Sequence, residues 1–114
     1  MSGGITGRIE SLLDAIGSLS PPAAALLLTV TEAVGDYNAK KGNLILSLIP
    51  YHVLGAELFI TLQKNPLALT NAYWDAFSNI ATFGIGYALG ERYSTMQYSG
   101  MVLISAGIMM LAMK

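Results

Sequence analysis

Apolar positions along the chain come in long blocks separated by short polar stops. Between Arg92 and Lys114 lie 21 residues without a charge, 93–113. As a helix they rise about 31 Å at ~1.5 Å per residue, enough to cross a bilayer. Three shorter uncharged runs, 15–31, 42–56 and 76–90, each end at an acid: Glu32, Glu57 and Glu91. Glu32, Glu57 and Asp75 are single acids with apolar residues on both sides, so the pattern is read through them. Four helices are predicted, over about 21–39, 44–62, 67–89 and 96–113, each of membrane-spanning length.

Turn chemistry marks the same boundaries. Ser20-Pro21-Pro22 reads as an N-cap followed by first-turn prolines. Lys40-Lys41-Gly42-Asn43 is a polar break, and so is Gln63-Lys64-Asn65-Pro66, with Asn65 as the expected cap. Gly90-Glu91-Arg92 is the last break. Connections this short make neighbouring helices antiparallel. Ahead of them, Ile5, Ile9, Leu12, Leu13 and Ile16 recur at helical spacing, and Gly17 reads as a C-cap. Residues 5–16 are expected either as a short helix on the membrane surface or as a partly ordered tail. Charges of alternating sign there argue against a cleaved signal peptide. The organisation expected is a surface segment, 1–20, and a four-helix unit, 21–114.

Composition narrows the class. Of 114 residues, 54% are hydrophobic and 11% charged, with mean hydropathy +0.55. Soluble domains carry roughly 25% charged residues, so the composition argues against a soluble monomer and against a disordered chain. Six Lys+Arg against seven Asp+Glu form no basic patch, which argues against nucleic acid as a partner. Without cysteine there is no disulfide scaffold and no thiolate metal site. No nucleophile–base pair, phosphate loop or metal-ligand spacing is present, so neither an enzyme nor a bound cofactor is expected. With four spans, Arg8, Lys64 and Lys114 fall on one side and Lys40, Lys41 and Arg92 on the other. Excess Lys and Arg normally fix orientation. A three-to-three balance leaves it free and predicts dual topology, with an inverted copy as partner in an antiparallel homodimer.

The acids inside the spans carry the candidate chemistry. A charge at the bilayer centre costs at least ~2.5–3.5 kcal/mol. Glu32 is eleven residues past Pro21, near mid-span; Glu57 is deep in the second span, and Asp75 about a third of the way into the third. Such groups face a bundle interior or a water-filled cavity; for Glu32 the plainer alternative is a protonated acid bonded to a neighbouring helix. Asp36 is one turn on, on the same face but near the helix end, where a solvated acid is expected. Asn71, Asp75, Ser78, Asn79 and Thr82 form one polar stripe on the third span, read as interhelical glue or as a cavity lining. His52 reads as a structural donor. Ser99-Gly100 and Ser105-Ala106-Gly107 give the last span small residues that suit dimer contact, and its methionines read as packing.

These residues resemble the small multidrug resistance family of the drug/metabolite transporter superfamily. Gly90-Glu91-Arg92 followed by Gly100-Met101-Val102-Leu103-Ile104-Ser105-Ala106-Gly107 is similar to that family's third loop and fourth helix. Pro66 and Trp74 have the spacing of the family's loop proline and third-helix tryptophan. Glu32, with Lys40 eight residues on, resembles the family's embedded first-helix glutamate. The likeness covers about 21–113. It departs at Asn71, where the family has tyrosine, at Asp75-Ala76-Phe77-Ser78, and in a shorter stretch before Pro66; Glu57 and Asp75 are additional acids.

The resemblance implies cation/proton antiport by an antiparallel dimer. Low dielectric disfavours the charged form of a carboxyl, so Glu32 is expected to hold a proton until a small organic cation arrives. Trp74 is placed to offer a π-face to that cation. Asn71, Asp75 and Glu57 complete the expected substrate and proton site, with Asp75 a potential hydrogen-bond partner of Glu32. The rival expectation is a non-transporting structural or assembly protein of the same fold. Either is an integral membrane protein in contact with lipid, in the cell (inner) membrane.

Overall fold

The computed structural model describes residues 4–113 and is all-α. Lys114, counted in the charge balance, and residues 1–3 of the N-terminal segment lie outside the described residues. Five helices follow one another: α1 (Ile5–Gly17), α2 (Pro21–Lys40), α3 (Leu44–Leu62), α4 (Leu67–Ala88) and α5 (Thr95–Ala112). The four long ones match the predicted segments to within a residue or so. α2 and α4 stop where Gly42 and Gly90 take positive φ, 79° and 100°, a conformation that favours glycine. α5 starts at a capping box: Ser94 Oγ accepts from Gln97 N–H, and Gln97 Oε1 accepts from Ser94 N–H. α3 continues through Pro50.

Two expected caps are corrected. Gly17 is not a left-handed cap; it is the buried last residue of α1, where its bare backbone meets Ile60 of α3. Asn65 does not cap α4. Its Nδ2 donates to Leu19 O at 3.1 Å and Thr61 O at 2.9 Å, tying the α1–α2 break to the end of α3.

The long helices stand side by side in the order α3, α2, α4, α5, with α1 against α3. Paired residues run in reverse order from α2 to α3 (Gly35 beside Tyr51, Thr31 beside Glu57), so those two are antiparallel. The result is a slab of 59 × 41 × 15 Å. A compact protein of 12.1 kDa exposes about 6,000 Å²; this chain exposes 7542 Å².

The interior is inverted relative to a soluble protein. The buried apolar residues are mostly alanine (Ala24, Ala25, Ala76, Ala112), with Leu28 the largest, and beside them lie Thr29, Ser47, Glu57, Thr61 and Thr70. Large apolar side chains such as Leu44, Ile45, Phe59, Leu103 and Leu111 point outward. Polar groups turned inward and apolar ones outward suit a lipid surround. α3 and α5 are long and apolar enough to cross a membrane, with mean hydropathy 1.7 and 1.3. α1 and α2 pass only as a pair, and a bend of 116° separates them. α4 is diluted by its row of polar residues. Two helices, or three if the bent pair is one span, are thus long and apolar enough to cross a membrane, which is consistent with a membrane protein.

Candidate functional site

Three helices meet around Glu32. It sits midway along α2, half-buried, and Ser78 Oγ of α4 donates to its Oε1 at 2.5 Å. One turn on, Asp36 Oδ1 accepts from Tyr51 Oη of α3 at 2.7 Å. The expected solvated acid is therefore tied to a neighbouring helix. Tyr51 reaches it because position 35 is glycine: a Cβ there would stand 2.5 Å from the ring. On the α3 side, Thr31 Oγ1 donates to Glu57 Oε2 at 3.1 Å. Glu57 is buried, and among the described residues its Oε1 has no partner. Acids of α2 and α3 are thus each held by one hydroxyl from the next helix in the row.

The expected polar stripe of α4 divides between two neighbours. Thr70, Trp74, Ser78 and Thr82 recur every fourth residue, so they share one face, and Ser78 fixes that face as the one toward α2. Trp74 lies one turn before Ser78. Its indole N–H is buried without an acceptor, as is the Thr70 hydroxyl, so Trp74 makes no hydrogen bond to Glu32. Asn71 and Asp75 turn toward α5. Asn71 Nδ2 donates to Asp75 Oδ2 at 3.2 Å, and the pair lines a groove of about 550 Å³ with Ile108 and Leu111. Asn79 lines the next groove along α5, with Met101 and Ser105. The structure therefore brings Glu32, Ser78 and, one turn away, Trp74 together, with Glu57 behind Thr31. Asp75 and Asn71 lie on the other flank of α4, and Asp75 is not a hydrogen-bond partner of Glu32.

His52 turns back on its own helix: Nδ1 is 2.7 Å from Leu48 O, and since a carbonyl only accepts, Nδ1 carries the proton. The far face of α2 lines an apolar cavity of about 600 Å³ with Phe77, Ile80, Ala81 and Ile85. At the α4–α5 corner Phe83 stacks on Tyr93, centroids 4.1 Å apart, and Tyr98 meets both rings edge-on at 5.5 Å. Burial there, and then the neighbouring Glu91 carboxylate, push the Tyr93 hydroxyl above its ordinary range.

Sequence reasoning missed Thr31, Tyr51 and Thr70. The only available signal was a hydroxyl residue directly before Glu32; Tyr51 carries none. No protein-family model, no curated protein and no solved structure matches the chain.

Proposed function

We propose that the chain is a proton-coupled antiporter of small organic cations, of the small multidrug resistance type, working as an antiparallel homodimer. The observation that carries this reading is the place of Glu32. It is an acid halfway along a central helix, between two neighbours, and its hydrogen-bond partner Ser78 is neutral. Neutral donors leave such a carboxylate available to a cation. In this reading α2 and α4 span the membrane beside α3 and α5. Their 20 and 22 residues rise about 30 and 33 Å, and their polar residues turn toward neighbouring helices. α1 lies at the membrane surface, with Ile5, Ile9, Leu12 and Leu13 exposed to lipid.

Proton and cation then compete for one carboxyl, and that competition couples their fluxes once access alternates. Trp74, on the same face of α4 as Ser78, supplies an aromatic surface for the cation. Asn71 and Asp75 shape the groove beside α5. The hydrogen bond from Ser78 also favours a second reading, an assembly protein of the same fold in which Glu32 is interhelical glue.

Glu32→Gln separates the two. The amide keeps shape and hydrogen bonding but binds no exchangeable proton. The antiport reading expects unchanged folding, loss of proton-coupled uptake of quaternary ammonium and amine probes into proteoliposomes, and loss of the pH dependence of binding. If the unmodified protein carries no probe across a broad amine panel, the assembly reading takes over.

A further inference from the structure

Glu57 is the acid that exchange at Glu32 leaves unused. It is the only acid of α3, and at 8% exposure it is nearly enclosed by the chain itself. Thr31 Oγ1 contacts Oε2 at 3.1 Å, while Oε1 is buried and bare. An ionised carboxylate spreads its charge over both oxygens and is stabilised by several donors; here one neutral hydroxyl serves it. A protonated carboxyl shares the same contact with Thr31 and leaves only an uncharged carbonyl oxygen without a partner.

Among the described residues, the surrounding ionisable groups offer no compensation. From α2 come Glu32 and Asp36, both acids, while Lys40 is exposed at the helix end. On α3 itself Tyr51 is engaged with Asp36, and His52 with Leu48 O. α1, which packs on α3 at Gly17 and Ile60, carries Arg8, Glu10 and Asp14, all exposed.

We propose that Glu57 is a second proton-binding site of this chain, a neutral buried acid held by Thr31 and distinct from Glu32. The proposal goes beyond the exchange reading and stands without it, because α2 and α3 of a single copy enclose the group. Thr31 and Glu32 are neighbours on α2, so the two acids form one line across three helices. Glu57 and Thr31 join α3 to α2, and Glu32 and Ser78 join α2 to α4. A proton on Glu57 keeps that line from holding two anions, so ionisation of Glu32 is not opposed by a like charge behind it.

The test is infrared spectroscopy of the full chain in lipid bilayers at neutral pH, reading the carbonyl stretch of protonated carboxyls. Glu57→Gln should remove one band, and the same band should persist in Glu32→Gln. Thr31→Val should keep that band but shift its frequency as the hydrogen bond is lost. A spectrum unchanged by Glu57→Gln overturns the proposal, whatever the flux assays on Glu32→Gln show. If Glu57→Gln misfolds, Thr31→Val decides alone: no shift in any protonated-carboxyl band also overturns it.

Discussion

Gly35→Ala is a one-methyl perturbation whose sign depends on a single neighbour. The added Cβ would stand 2.5 Å from Tyr51 Cε1 and 2.8 Å from Cδ1, well inside van der Waals contact. The ring is not free to swing clear, because its hydroxyl is bonded to Asp36 at 2.7 Å. Overpacking of this kind costs about 1–3 kcal/mol. Against it stands the gain from replacing a mid-helix glycine, roughly 0.5–1 kcal/mol. The net expectation for Gly35→Ala is destabilisation by about 1–2 kcal/mol. In a Tyr51→Ala background the obstacle is gone and only the gain remains, so the same substitution should stabilise by about 0.5–1 kcal/mol. The assay is a double-mutant cycle on four proteins, following helix content in mixed micelles as a denaturing detergent is titrated in. Equal effects of Gly35→Ala in the two backgrounds would refute the packing of Tyr51 across α2.

Three further substitutions test other parts of the slab. Nothing lies within 4 Å of a Cβ built at Gly100 or Gly107. Gly100→Leu and Gly107→Leu should therefore leave the helix content of one copy intact while lowering dimer yield in detergent; unchanged yields for both would move the dimer contact away from this face of α5. Asn65→Ala removes two side-chain hydrogen bonds at about 1 kcal/mol each. Protease cleavage at 18–20 should rise several-fold, and an unchanged rate would show that Asn65 does not hold the α1–α2 break.

The helices were legible because punctuation and length agree. Pro21, Gly42, Pro66 and Gly90 all fall at or beside helix ends, and largely apolar stretches of spanning length, each holding at least one acid, lie between them. The start of α5 carries a capping-box signal, Ser94-x-x-Gln97, that the expected start at 96 did not use. What joins helix to helix was far less legible. A hydroxyl in mid-helix is spaced no differently whether it donates to its own backbone, as Thr29 does, or to an acid on another helix, as Thr31 does. The stripe on α4 was correctly placed as polar. However, its 3.6-residue period does not show that rows one residue apart face two partners, Ser78 toward α2 and Asp75 toward α5. Gly17 and Asn65 misled for a related reason. Both are common cap residues at helix ends, but here each is used for a contact with a distant segment.

Spatial order and chain order differ: α4 packs on α2, although α3 is made between them. The partner of Glu57 is already present when α3 emerges, since Thr31 precedes it by 26 residues. Glu32 is in the opposite position, because Ser78 lies 46 residues further along. At ~5–20 residues per second of synthesis, Glu32 spends about 2–9 s on the open flank of an α2–α3 hairpin before α4 arrives to supply that hydroxyl. Ribosome speed over the codons for α3 and α4 therefore sets how long a nascent copy carries an unpartnered mid-helix acid.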